Sequence, residues 1–540
     1  MASVIFDRKD VELLIGQKLK DDEWKEKVPM LGCPIEKITS NEIEVEIFPN
    51  RPDMLSAEGF ARAISMFLGI RKNIPSYTAK NSELSMSVED SVRYIRPYVA
   101  GAVVKNVKLT SAMIASLMQV QEKLHQTAGR KRKKVAIGVH DFDAIKFPLK
   151  YYGAEPSSIK FIPLEGNKEM TLTEILKYHK KGRDYAHILD NAKKYPVIID
   201  KQGVISFPPI INSERTKVKK TTKNLFIDVT GTDEKEVNAV LNIIVTSLAD
   251  RGCSIEKIKI GNKETPNLMK GEMKVNVNHV NKLLGTNMDK NEINEMLKKM
   301  GLMIRADGVS IPCYRSDIMH EIDIIEDVAI AHGYMNFEPE IPDVPGTGKR
   351  LEERELDNVL REIMVGCGFQ EVINLILTNE DDEFDKMQQP RISACKTLNP
   401  VTVECTMLRT NILASLMKTI TQNKHNDFPQ KIFEVGEVAI LDANQETGVL
   451  HKTQLGCVMS NISINYKEIT SVLDAFMKNL GKRYNLKPKA DKSFIDSRCA
   501  EIFVEGISCG VIGEIHPQVL NNWRIEMPCA GFWVGVDELK

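Results

Sequence analysis

The chain has 540 residues, 42% hydrophobic and 27% charged, the composition of an ordinary globular protein with room for about three or four domains. Lys+Arg at 73 nearly cancels Asp+Glu at 74, so no global field recruits a polyanion, and any nucleic-acid contact must come from local basic patches or a partner chain. Ten scattered cysteines contain no Cys-x-x-Cys pair, which excludes zinc knuckles and thioredoxin-like chemistry; with no apolar leader and no membrane-length run, a cytoplasmic chain with reduced thiols and no membrane contact is expected.

In chain order, Ile43-Glu-Val-Glu-Ile-Phe48 alternates as a half-buried strand and runs into Pro49-Asn-Arg-Pro-Asp53. Two prolines there hold Asn50 and Arg51 in a rigid extended turn, suited to packing or to contact with RNA or a partner. Ser56 caps a helix through Phe60, Ala63, Ile64 and Phe67 that ends near Gly69, and the polar stretch 73–89 reads as a linker. From Arg96 to about Ile260 strands dominate. Val99–Val104 and Val135–Val139 read as buried strands, separated by a predicted helix from Ser111 to Gln126 and the basic turn Gly129–Lys134. That turn is either a solvated loop or a grip for phosphate. Residues 197–200 and 204–206 pair as a hairpin across Lys201-Gln-Gly203, and Asp233 is placed to cap a helix through Val237, Leu241, Ile244 and Leu248. His140-Asp141, at a strand end, reads as a structural hydrogen bond or an acid/base pair.

A compact unit follows: a helix 278–284 closed by Gly285, then a second helix opened by the capping box Asp289-x-x-Glu292, with Ile293, Met296, Leu297 and Met300 on one face. Strands 302–304 and 309–311 lead into a third helix. Such an arrangement resembles a winged DNA-binding module. The second helix sets Lys290, Lys298 and Lys299 against Asp289, Glu292 and Glu295, too little positive charge to read a groove. On the third helix Asp323, Glu326 and Asp327 stand at i, i+3 and i+4, with Asp317 just ahead and Ile322, Ile324, Ile325, Val328 and Ile330 assigned to the buried side. Four carboxylates this close form either a solvated acidic face or a site for a hard cation, for which an all-oxygen ligand set favours magnesium. Beyond a Pro339-x-x-Pro342-x-x-Pro345 connector, a helix from Glu352 to Cys367 opens a final domain in which strands such as 397–398, 432–433 and 503–504 alternate with helices in an antiparallel α+β pattern.

Several segments together resemble one family. Phe48-Pro-Asn-Arg-Pro-Asp-Met-Leu-Ser-Ala-Glu58-Gly59, Val135-Ala-Ile-Gly-Val-His140-Asp141, Pro208-Pro-Ile-Ile-Asn-Ser213, Thr230-Gly-Thr-Asp233, Tyr314-Arg-Ser-Asp317 through His332-Gly-Tyr334, Leu408-Arg-Thr410, Ile432-Phe-Glu-Val-Gly436 and Gly513-Glu-Ile-His516-Pro517 occur in order across nearly the whole chain. They are similar to the β subunit of phenylalanyl-tRNA synthetases of the archaeal and cytosolic eukaryotic type. The resemblance implies a multidomain α+β chain: an N-terminal α/β domain (1–90), an editing-type α/β domain (91–265), a winged-helix-like B5 domain carrying the carboxylates (270–340), and an inactive class II synthetase-like antiparallel sheet domain (346–540). It further implies an α2β2 heterotetramer acting on tRNA(Phe), with ATP and phenylalanine bound by the α subunit, and magnesium held by Asp317, Asp323, Glu326 and Asp327. The editing-type domain would hydrolyse tyrosine wrongly attached to tRNA(Phe). Asn212, Ser213, Glu214, Thr230, Thr232 and Asp233 lie in its loops, and Ser213, Glu214, Thr230 and Asp233 are the candidate catalytic residues. The alternative from another class is a non-editing scaffold for tRNA binding and assembly. Class II adenylation sites clamp ATP with arginines; here Lys431 stands where one is expected, and Gly531–Lys540 contains none, so the last domain is expected to be inert in adenylation.

Overall fold

The computed structural model describes residues 2–305, 308–344 and 346–540, with the backbone alone at 352 and 353. Two compact units emerge, 1–341 and 342–540.

The first unit begins with a three-stranded sheet of β1 (Ala2–Asp7), β2 (Ile35–Ile38) and β3 (Glu42–Ile47), in the order β1-β3-β2. The alternation read from 43 to 48 turns Ile43, Val45 and Ile47 inward, and all three are buried. Helix α1 (Ala57–Phe67) starts at Ser56, whose Oγ accepts the Gly59 N–H at 2.9 Å, a cap of the kind that stabilises a helix by about 1 kcal/mol. The stretch expected to be a linker instead supplies β4 (Ser85–Val88): the period-2 run Leu84, Met86, Val88 outweighs the neighbouring serines, and Met86 is buried in the next sheet.

That larger sheet contains β4, β5 (Tyr98–Lys105), β6 (Val135–Asp141), β7 (Leu149–Ala154), β8 (Tyr195–Asp200), β9 (Gly203–Phe207), β10 (Ile211–Asn212), β11 (Leu225–Gly231) and β12 (Ser254–Ile260). Their order is β10-β9-β8-β7-β4-β12-β5-β11-β6, with two short strands, 79–80 and 263–265, added on β12. Helix α2 (Ser111–Gln126) spans the predicted residues, and α3 (Glu234–Asp250) starts at the predicted cap Asp233. On β11 the side chains alternate strictly. Leu225, Ile227 and Val229 enter the core shared with Val237, Leu241 and Ile244 of α3, so Asp228 and Thr230 must point to the other face. Three helices close the unit: α4 (Val277–Leu284), α5 (Lys290–Lys299) with its capping box in place, and α6 (Glu321–His332) stopped at Gly333. Between α5 and α6 run Met303–Arg305 and Gly308–Ile311. Ile322, assigned to the buried side of α6, is 43% exposed; it sits in the first turn, on the arc away from Ile324, Ile325 and Val328.

The second unit is a seven-stranded sheet in the order 370–371, 430–441, 449–460, 529–535, 507–515, 494–504, 484–488, antiparallel except for its first pair. Helices 352–366 and 466–479 pack through Leu360, Met364, Ile469 and Leu473 into one core cluster, and helices 413–422 and 517–523 through Leu416, Met417, Val519 and Trp523 into another. Thr397-Leu398, read as a strand, lies outside any strand, and Leu398 is 92% exposed: a locally apolar pair without a long partner strand stays in a loop.

Candidate functional site

A cavity of about 450 Å³ opens on the polar face of β11, walled by α2, β6, the turn before β6 and the 206–212 segment. Asp228 and Thr230 form part of its wall. Directly across from Asp228 stand Gly101 of β5 and Gly138 of β6. A Cβ at 138 would collide with Asp228 Oδ1, so this glycine makes room for the carboxylate.

Asp228 is buried and its Oδ1 lies 2.7 Å from His140 Nε2. An ionised carboxylate only accepts, so Nε2 donates to Asp228, while Nδ1 lies 2.9 Å from the Thr216 hydroxyl, which is also 3.3 Å from the Ser213 carbonyl. His140 therefore pairs with Asp228 and not with its neighbour Asp141. Asp141 instead accepts the Asp143 N–H at 3.1 Å and the Thr222 hydroxyl at 2.8 Å, because adjacent residues of a strand point to opposite faces. Thr230 Oγ1 accepts from Arg96 Nε at 2.9 Å, and its carbonyl accepts from Arg96 Nη2 at 2.7 Å.

Elsewhere on the wall, Arg132 sits in the left-handed region (φ 68°), its guanidinium 4.4 Å from the centre of the Tyr185 ring and donating to Ile210 O at 2.9 Å. Glu122 faces the His125 ring at 3.6 Å and the Arg132 guanidinium at 3.4 Å, and the His125 contact first, then the Arg132 charge, hold its carboxyl down at about 2. His125 itself is buried; burial lowers its imidazole to about 4, and its Nε2 accepts the Ile137 N–H at 2.8 Å.

Of the four candidate catalytic residues, only Thr230 reaches this wall. Ser213 Oγ caps a short turn through the Arg215 N–H at 3.4 Å. Glu214 accepts the Glu165 N–H at 2.7 Å and faces Lys217 at 3.3 Å. Asp233 caps α3 through the Glu236 N–H at 3.2 Å, the bond that chiefly holds its carboxyl low, with Lys134 at 3.4 Å. Asn212 is on the wall, bonded to the Ser206 hydroxyl at 3.2 Å. Arg132 lies in the basic turn 129–134 that sequence reasoning read as a solvated loop or a grip for phosphate, whereas it passed over Asp228 and Arg96. Their signal is an aspartate and a threonine two apart inside an otherwise apolar strand, where a polar pair on one face must have partners or a cavity.

The acidic helix is built differently from a cation cage. Arg315 Nη2 bridges Asp317 at 2.8 Å and Asp327 at 2.7 Å. Burial alone would lower the Arg315 guanidinium, but the two carboxylates more than offset this and hold it well above its ordinary range. Burial pushes the Asp327 carboxyl up, against the pull of Arg315. Asp323 accepts the Met319 and His320 N–H groups at 2.7 Å, capping α6, while Glu326 is exposed. Among the described residues no three His, Cys, Asp or Glu side chains converge as metal ligands. The donor set suits a hard cation chemically, yet its geometry is that of an arginine clamp plus a helix cap. Arg51, held open for RNA or a partner, is buried and donates twice to Asp53 at 2.9 Å.

Comparison with known proteins decides the family. The chain matches the B3/4 domain over residues 96–245, the tRNA synthetase B5 domain over 273–334, and the phenylalanyl tRNA synthetase beta chain CLM domain over 338–534. It is 43% identical to the phenylalanine–tRNA ligase beta subunit of Archaeoglobus fulgidus, over 97% of this chain and 96% of that one. With the subunit of Methanocaldococcus jannaschii it shares 40% identity, over 99% of this chain and all of that one. The chain belongs to the phenylalanine–tRNA ligase β-subunit family. A crystal structure of an N-terminal fragment of the Pyrococcus horikoshii phenylalanyl-tRNA synthetase β subunit is similar to it, with a TM-score of 0.59 and 40% identity, over 61% of this chain and 99% of that one.

In this β subunit the second unit uses its arginine internally. Arg409, from the Leu-Arg-Thr motif, is buried and donates to Glu434 at 2.8 Å, and Asn374 donates to the other carboxylate oxygen at 2.7 Å. Lys431 lines a separate groove with Asn423 and Gln430. The pair closes a buried charge balance and leaves no arginine of these motifs free to hold ATP.

Proposed function

We propose that this chain acts within an α2β2 phenylalanine–tRNA ligase, in which the α subunit binds ATP and phenylalanine and the cavity beside β11 hydrolyses tyrosine esterified to tRNA(Phe). One observation carries the reading: Asp228, an acceptor, and Thr230, a hydroxyl, stand two residues apart on one cavity wall. A phenolic hydroxyl both donates and accepts, so it satisfies such a pair. A phenylalanine side chain would leave unmet the Asp228 lone pairs and the Thr230 hydroxyl proton that His140 and Arg96 do not take up, the kind of mismatch that supports discrimination of about 10⁴. Arg132 and Lys181 on the same wall supply positive charge for the ester or for the phosphates of the tRNA end. Hydrolysis adds water across the ester, releasing tyrosine and uncharged tRNA. Magnesium at Asp317, Asp323, Glu326 and Asp327 enters the reading only as a structural ion of the assembled enzyme, in competition with Arg315 for Asp317 and Asp327. Among the described residues no helix is long and apolar enough to cross a membrane, and family membership supports a cytoplasmic location.

The deciding experiment is deacylation of tyrosyl-tRNA(Phe) by the purified α–β complex. Wild type should release tyrosine far faster than phenylalanine, and Asp228→Asn should lose about a hundredfold in kcat/KM on the tyrosyl ester. A wild-type complex that leaves the tyrosyl ester intact would establish the scaffold alternative instead.

A further inference from the structure

Arg96 is buried at 2% exposure, yet among the described residues no carboxylate pairs with it. Its guanidinium is held by the Thr230 hydroxyl at 2.9 Å, the Thr230 carbonyl at 2.7 Å and the Lys133 carbonyl at 3.2 Å. With only neutral acceptors bonded to it and the Asp228 carboxylate acting on it through space, a cation so buried is costly and calls for a reason. Its own backbone is tied down as well, since the Tyr151 hydroxyl donates to the Arg96 carbonyl at 2.8 Å. The position lies immediately before β5, at the edge of the cavity wall formed by Thr230.

A threonine hydroxyl has one proton and two lone pairs. Arg96 Nε–H occupies one lone pair of Thr230 Oγ1, and no acceptor within the described protein takes the Thr230 proton. That proton is left to the cavity. Asp228, with His140 on Oδ1, is fixed as the acceptor beside it. We infer that Arg96 is a positioning residue that sets the hydrogen-bond polarity of Thr230, making it a donor into the cavity and so fitting the wall to a ligand hydroxyl that accepts from Thr230 while donating to Asp228. This rests on the reading of the cavity as a tyrosyl-ester hydrolase and specifies how its selectivity is built. Without Arg96 the Thr230 hydroxyl is free to rotate. It can then present a lone pair, and of the two bonds to a phenol only the one donated to Asp228 remains.

A double-mutant cycle in the α–β complex tests this, using Arg96→Met, Thr230→Val and the pair, with tyrosyl- and phenylalanyl-tRNA(Phe) as substrates. The readout is the ratio of kcat/KM for the two esters, which a merely structural loss would lower for both alike. Arg96→Met should reduce the ratio by about tenfold, the worth of one buried hydrogen bond, and the double variant should be no less selective than Thr230→Val alone. Arg96→Lys, which keeps a charged donor, should restore most of the ratio; if Arg96→Met shows no cooperative melt, Arg96→Gln, which removes the Nε donor but stays polar, takes its place in the cycle with the same expected loss. Additive losses, or an unchanged ratio in Arg96→Met while wild type still prefers the tyrosyl ester, would overturn the role of Arg96 and leave the cavity reading standing. A wild-type complex without preference would overturn both.

Discussion

At the level of single residues, the site is decided by what each polar group faces after folding, and this explains both what the sequence disclosed and what it hid. Thr230 was accessible from its motif, but Ser213, Glu214 and Asp233 share the same loops and are consumed as turn and helix caps. Nothing local separates a cap from a ligand, because both need a short oxygen-bearing side chain at a chain reversal. Asp228 was hidden for the opposite reason. It lies in an apolar run, and the glycine that makes room for it, Gly138, is distant in sequence and meets it only through strand register. Gly138→Ala should therefore displace the Asp228 carboxylate and abolish selectivity for the tyrosyl ester while the thermal melt of the chain shifts little; wild-type selectivity in that variant would show the carboxylate to be dispensable. His125 gives a prediction in pH. Its pKa falls from 6.5 to about 4 on burial, so the unfolded chain binds the extra proton between those values. Stability from the neutral form is complete above about 6.5 and is lost as pH falls toward 4, a contribution on the order of 3 kcal/mol locally. Protection of the Ile137 amide, whose N–H bonds to His125, measured against its intrinsic exchange rate at each pH, should fall across that window in wild type and stay constant in His125→Gln, which keeps an acceptor without the titration.

Among the elements, the strongly patterned ones were legible. The helix 111–126, the Asp289 capping box and the Gly333 stop on α6 stand where spacing placed them, because caps and 3.6-residue periodicity are local properties. The 73–89 stretch was misread because its strand is set by tertiary neighbours: Met86 is drawn between β7 and β12 in the middle of the sheet, which local composition cannot reveal. On α6 the spacing of the carboxylates was right and the partner unforeseen. Arg315, two residues before Asp317, closes a buried clamp on Asp317 and Asp327. Removing only the cation strands Asp327 in the interior, so Arg315→Met should destabilise this region by about 3–5 kcal/mol, whereas Glu326→Gln on the exposed face should cost less than about 0.5 kcal/mol. Chelator and magnesium distinguish the two roles of the cluster. A melting temperature of the α–β complex that rises with magnesium in wild type and not in Asp323→Asn would support the structural ion. Identical curves would leave the arginine clamp of Asp317 and Asp327 and the helix cap of Asp323 as the roles of these carboxylates.

For the whole molecule, the second unit carries an apolar surface that its own fold does not cover. Ile373 is 91% exposed, Leu375 72%, Leu398 92%, Val401 98% and Val403 86%. They stand in two loops joined by the short pairing of Leu377-Thr378 with Met407-Leu408, so they belong to one region of the surface. Side chains of this size gain about 1.5–3 kcal/mol each on burial, and five so exposed are far more than a monomer needs for packing. The same unit keeps Arg409 bound to Glu434 and offers Lys431 where an arginine clamp is expected, so association, not adenylation, is the expectation to test for it. Two consequences follow for the chain expressed without its α partner. It should give no phenylalanine-dependent ATP–pyrophosphate exchange, and it should self-associate with increasing concentration until α is added. Replacing Leu398, Val401 and Val403 together by serine should suppress that self-association and weaken the α–β complex by at least about tenfold, while deacylation of tyrosyl-tRNA(Phe) by whatever complex forms stays at the wild-type rate. A triple variant that assembles with α as tightly as wild type in sedimentation would remove these loops from the interface, and exchange activity in the isolated chain would show that an arginine-poor site can adenylate after all.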